Sequence, residues 1–251
     1  MVSRIAFLIF LLLMISGCGA ETTPPYPAPQ NPPLAPPYPA PQKPPPAPPY
    51  PAPQVPPAAR PTISPIIELV QHAELAYRSG NLDQAFADYT KIIELDPQST
   101  DAYYNRAIIY EDKGELDQAI AEYTRALALD ARYVRAFYNR GILYYKQGKL
   151  DQAIADYSKA MELDPTSPRP YNNRALAYEE RGEVERAFAD YSKAIELKPG
   201  FALAYLNRGA LYREQGKIAE AIADFEKYLE VEPTVANRAQ VEEWLRELKG
   251  Q

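Results

Sequence analysis

The 251 residues carry one cysteine and one histidine, so there is little here from which to build a reacting centre. Cys18 is the only thiol and can form no intramolecular disulfide. His72 is the only imidazole, and no Ser/His/Asp or Cys/His arrangement can be assembled around it. The acids recur periodically and read as solvated helix faces rather than as a general acid–base pair. No cluster has metal-ligand spacing, and no glycine loop suits a phosphate, so neither cofactor nor metal is expected and the chain reads as non-catalytic. What remains is ionic and hydrogen-bonding chemistry. Arg106, Arg140, Arg174 and Arg208 recur at one slot, with His72 in the same slot earlier. An acid lies 16 residues beyond each: Asp88, Glu122, Asp156, Asp190 and Asp224. These spacings predict ion pairs between helices, with His72 the weaker member. Asn105, Asn139, Asn173 and Asn207 form a second series of one amide per period. An amide has donors and an acceptor, enough either to read the backbone of an extended peptide or to hydrogen-bond from helix to helix within the stack. Tyr104, Tyr138 and Tyr145 would either add amphipathic contact area beside that series or pack between repeats.

The elements that must position these groups repeat every 34 residues. Gly80, Gly114, Gly148, Gly182 and Gly216 mark the period; Ala85, Ala119, Ala153, Ala187 and Ala221 follow five residues later. Four further on stand Tyr89, Tyr123, Tyr157, Tyr191 and Phe225. Pro97, Pro165, Pro199 and Pro233 close most units, with Ala131 standing in once. Apolar residues on both sides of each glycine fall at helical spacing, so each unit predicts two helices joined at the glycine. Small residues at the expected crossings (Ala107, Gly141, Ala175 and Gly209 in the first helices) allow close approach. No hairpin buries its apolar face alone, so the units must stack.

This period and these landmarks resemble the tetratricopeptide repeat (TPR) family. The expected fold is all-α: a solenoid of five repeats over 66–99, 100–133, 134–167, 168–201 and 202–235, with a capping helix over 236–251. The cap follows from the apolar stripe Val241, Trp244, Leu245 and Leu248. The resemblance implies that the first helices line a concave groove. Carried over by slot, the residues expected to face a bound peptide are Tyr104, Asn105, Arg135, Tyr138, Asn139, Tyr145, Arg169, Asn172, Asn173 and Asn207. A carboxylate clamp is not expected, because Val70/Glu74, Tyr104/Ile108 and Tyr138/Ile142 fill the slots where that subfamily carries lysine and asparagine.

The chain before the repeats differs in kind. Residues 1–17 read as a signal peptide, with Arg4 preceding an apolar run over 5–15. The run ends Ile15-Ser16-Gly17-Cys18, which resembles a bacterial lipobox and implies lipidation of Cys18 after cleavage before it. Gly19 rather than an aspartate follows, which by analogy favours the outer membrane, facing the periplasm. Residues 18–65 form the expected linker, and 20 of the 27 prolines lie within 24–61. PPYPAPQ occurs at 24–30, 36–42 and 48–54, a density that forbids helix and sheet and leaves an extended, disordered polyproline stalk. Net charge is −6 with no basic run, which excludes nucleic acid as the main partner. The expected function is a lipid-anchored envelope adaptor recruiting proteins or peptides. The alternatives are a membrane-to-wall tether or a pilotin-like assembly factor, and a homodimer is among the expected assemblies.

Overall fold

A computed structural model describes residues 65–250, which form eleven α-helices with no strand among them. Five hairpins follow one another: α1 (Pro65–Arg78) with α2 (Leu82–Leu95), α3 (Thr100–Asp112) with α4 (Leu116–Leu129), α5 (Val134–Lys146) with α6 (Leu150–Leu163), α7 (Pro168–Glu180) with α8 (Val184–Leu197), and α9 (Ala202–Glu214) with α10 (Ile218–Val231). A last helix, α11 (Arg238–Lys249), packs on α10. The expected all-α stack of five hairpins and a cap is what forms. Pro65, assigned by sequence to the linker, opens α1, where its fixed φ and missing N–H do no harm. Residues 1–17, Cys18 and the proline-rich stretch lie outside the described residues.

The hairpin turn is set by backbone chemistry. At the end of α5, Gly148 takes φ +69° and donates to the Tyr145 carbonyl at 2.9 Å, while Lys149 donates back to Tyr144 at 2.9 Å. This left-handed closure satisfies two carbonyls that the helix end would otherwise leave open, at little steric cost only for glycine. The other four glycines of the period share the positive φ.

Between the helices of each hairpin the core is one aromatic ring against one small residue. Tyr123, Tyr157, Tyr191 and Phe225 are fully buried, as are the alanines four residues before each. Gly141 shows how tight the crossing is: a Cβ there would sit 2.8 Å from the Tyr157 ring. Hairpins then join because every first helix packs on the second helix of the preceding unit. The first helices α5, α7 and α9 also touch in sequence, placing them on the inner side of the stack.

The expected ion pairs form and do more than their spacing announced. Arg106, Arg140, Arg174 and Arg208 each donate twice to the acid 16 residues on, at 2.7–3.0 Å. Each also donates to the hydroxyl 16 residues back, on the preceding second helix: Thr90, Thr124, Ser158 and Ser192 at 2.8–3.3 Å. One guanidinium therefore ties three helices, which its planar fork permits and an ammonium does not. His72 meets Asp88 at 2.6 Å but stands largely exposed, the weaker member of the series.

The two ends of the stack are unequal. Val241, Leu245 and Leu248 of α11 are buried over α10, and Trp244 packs 5.4 Å from Phe225 with Arg213 over its face. At the other end, the exposed large apolar residues Ile67, Leu75, Tyr77 and Leu95 all belong to the first hairpin.

Candidate functional site

On the inner side, the asparagine series is spent on joining repeats. Asn139 donates to the hydroxyls of Tyr104 (3.1 Å) and Tyr123 (3.2 Å), and Asn173 donates to Tyr138 (3.2 Å). Asn207 donates to the carbonyl oxygen of Asn172 at 3.0 Å, and Asn172 in turn to Asn173. The rule is simple. The amide of each repeat bonds residue i−35, which is Tyr104, Tyr138 or Asn172 at one common slot of the first helices.

This placement corrects the sequence expectation for much of the groove. Tyr138, Asn139, Asn172, Asn173 and Asn207 are buried between helices and face one another rather than a peptide, and Tyr145 is buried too. The physical reason is that the stack brings successive first helices close enough for a tyrosine to reach the next amide, and a buried amide must find a partner. Arg169 lies half-buried at the start of α7, apart from the cavity described next.

At Asn105 the series breaks. The residue 35 before it is Val70, which has no acceptor, and among the described residues the Asn105 side chain has no hydrogen-bond partner. Here a cavity of about 420 Å³ opens among α1, α2, α3 and the start of α5. Val70, Tyr77, Tyr89, Tyr104, Asn105 and Arg135 line it, with Glu74, Arg78 and Asp101 among its charged residues. Three expected groove residues, Tyr104, Asn105 and Arg135, are thus brought together. Sequence reasoning missed Val70, Tyr77 and Tyr133. The signal was present, since valine stands at a slot that holds tyrosine in the next two repeats.

Hydrogen bonds fix the rings. Tyr77 donates to Asp112 at 2.7 Å and Tyr133 to Asp101 at 2.5 Å. Arg135 lies over both the Tyr104 and Tyr133 rings, 5.3 and 5.4 Å from their centroids. Burial pushes the Tyr89 and Tyr104 hydroxyls up to about 12, so both stay protonated at neutral pH. The walls are therefore amphipathic rings with fixed tilt, and the lining charges (Glu74 and Asp101 against Arg78 and Arg135) balance. Such a surface suits an uncharged, extended peptide better than a charged tail. Among the described residues no group of acids, histidine or cysteine has the geometry to hold a metal ion.

A titrating group lies further along the inner side. Tyr191 donates to Glu179 at 2.8 Å, and burial, with Glu214 and Glu180 nearby, pushes the Glu179 carboxyl up to about 7 against that bond. The folded chain then holds a proton between the ordinary 4.5 and about 7 that the unfolded chain releases, so stability falls as pH rises through that window. Glu179→Gln keeps the acceptor and removes the charge. It should stabilise the protein at pH 8 by about 1–2 kcal/mol and leave pH 4.5 unchanged, as thermal melts at the two pH values would show. An equal gain at both would refute the titration.

Models of the tetratricopeptide repeat match residues 69–99, 88–121, 168–201 and 202–235, and a model described as TPR repeat matches 109–148 and 143–182. Comparison with curated proteins gives no match. Among solved structures, the MamA protein is 27% identical, covering 70% of this chain and 94% of its own at a TM-score of 0.61. YrrB, described as a TPR protein with an unusual peptide-binding site, is 22% identical (71% and 92% covered, TM-score 0.60). PilW, described as a type IV pilus biogenesis factor, is 21% identical (75% and 88% covered, TM-score 0.66). At those last two identities the likeness is one of fold.

Proposed function

The chain belongs to the tetratricopeptide repeat family, a protein–protein interaction scaffold, and from that premise we propose a non-catalytic adaptor that binds extended peptide segments of envelope proteins at the Val70–Asn105 cavity. One observation carries this reading. Asn105 is the member of the amide series whose donors and acceptor are not engaged by a neighbouring repeat, and it lines a tyrosine-walled cavity. At about 420 Å³ that cavity lies inside the ~300–1,000 Å³ range of formed binding pockets. Anchoring belongs to the same proposal. Lipid on Cys18 holds the protein in a bacterial envelope, with the outer membrane favoured. More than one acyl chain would make that attachment firm.

The test is a crosslinking capture from intact membranes with three proteins: wild type, Asn105→Ala/Arg135→Ala and Cys18→Ser. The double substitution changes half-buried side chains of the cavity and leaves the buried amide–tyrosine bonds alone. A partner set held by wild type should be lost from it at unchanged melting temperature. Cys18→Ser should leave the membrane fraction. If the partner set survives the double substitution, the cavity is not the working surface; if Cys18→Ser stays membrane-bound, the lipid anchor is wrong.

A further inference from the structure

One lining position of the cavity, Val70, stands where the next two repeats carry tyrosine, and this chain carries a candidate ring to enter beside it. In repeats two and three the common slot holds Tyr104 and Tyr138, whose rings lie tilted on Tyr123 and Tyr157 at 5.6 and 6.1 Å. Their hydroxyls accept from the asparagine of the following repeat. In repeat one the slot holds Val70. The ring it would have lain against, Tyr89, and the amide it would have bonded, Asn105, both line the cavity instead. An incoming tyrosyl side chain can therefore make the contacts that Tyr104 makes one repeat later: ring on Tyr89, hydroxyl accepting from Asn105.

We propose that the chain's own residues 48–54, PPYPAPQ, occupy this cavity, with Tyr50 entering beside Val70. The proposal rests on reading the cavity as the peptide site and names its resident occupant. Three observations favour this occupant. Reach is ample: 15 residues separate Tyr50 from Pro65, up to about 46 Å at 3.1 Å per residue, whereas Val70 lies only about 8 Å along α1. Charge fits, because the segment has no charged residue and the lining charges balance. Chemistry fits, because proline-rich segments are already extended and dock in aromatic-lined grooves at small entropic cost. The copy at 36–42 has the same sequence and can replace the third. An envelope partner then binds by displacing a tethered competitor, so the stalk tunes the affinity of the groove.

The experiment uses the full chain in detergent micelles and a dye-labelled PPYPAPQ peptide, followed by fluorescence anisotropy. A tethered segment competes at an effective concentration on the order of millimolar, so wild type should bind the free peptide weakly. Tyr26→Ala/Tyr38→Ala/Tyr50→Ala should bind it tenfold or more tightly. Adding Val70→Tyr to that variant should abolish binding while holding or raising the melting temperature, because the new ring completes the series. Equal binding by wild type and the triple variant, no binding by the triple variant, or binding that survives Val70→Tyr would each overturn the proposal. A wild-type dimer that dissociates in the triple variant would assign the docking to a second copy and overturn it as well. If the peptide fails while Asn105→Ala/Arg135→Ala still loses its envelope partners, the occupant is wrong and the adaptor reading stands.

Discussion

Arg140→Glu should leave the protein largely unfolded at a temperature where wild type is native. The guanidinium is 15% exposed and bonds Asp156, itself 8% exposed, through two nitrogens at 2.8 Å, with a third bond to Thr124 at 2.9 Å. Burial pushes the Asp156 carboxyl up, against the pull of Arg140, so the pair is not itself a large source of stability. Removing one partner is another matter, because an uncompensated buried charge costs about 3–5 kcal/mol, and the reversed charge adds repulsion. Against a total of about 5–15 kcal/mol for a domain, that is a large share. Arg140→Lys keeps the charge but cannot reach Asp156 and Thr124 together, so its loss should be smaller. Urea unfolding followed by circular dichroism ranks the three proteins. Midpoints for Arg140→Glu and wild type that coincide would mean that the three-helix tie carries no weight.

Removing residues 236–251 should destabilise the far end of the stack and spare its centre. Val241, Leu245 and Leu248 are buried against a cluster that includes Phe225 and Tyr228, and their burial is worth about 1.5–3 kcal/mol each. Without α11, the last hairpin presents Phe225 and Tyr228 to water, as an end repeat without a polar cap does. In a stack where each unit touches only its neighbours, the loss stays local. Hydrogen exchange should accelerate at least a hundredfold in α9 and α10 while α3 to α6 keep their protection. Uniform acceleration along the chain would show that the repeats unfold as one unit. Unchanged exchange would show that α11 rests on the surface without stabilising it.

These two predictions draw on features of different legibility. The arginine–acid spacing of 16 was readable before any coordinates, because an arginine in each first helix recurs with an acid in the second helix of the same hairpin, opposite charges that two antiparallel helices can bring together. The hydroxyls 16 residues back were equally periodic but became meaningful only once α4 and α6 were seen on either side of Arg140. The capping stripe of α11 was likewise visible as a helical period, and the docking of Trp244 on Phe225 followed from it.

The inner surface divided the two kinds of information more sharply. Asn105, Asn139, Asn173 and Asn207 look equivalent along the chain, and the family resemblance placed all four before a peptide. In the fold, three of them are consumed by the residue 35 positions earlier, while Asn105 meets Val70 and is left to the cavity. Sequence alone determined the repeat, its helices, its turns and its ionic ties, since these depend on local conformation and on a strict period. Which amides are spent and which is offered depends on the distance between successive first helices, a property of how the repeats stack. That distance is set by the rings and small residues packed between them, and only the tertiary structure decided it.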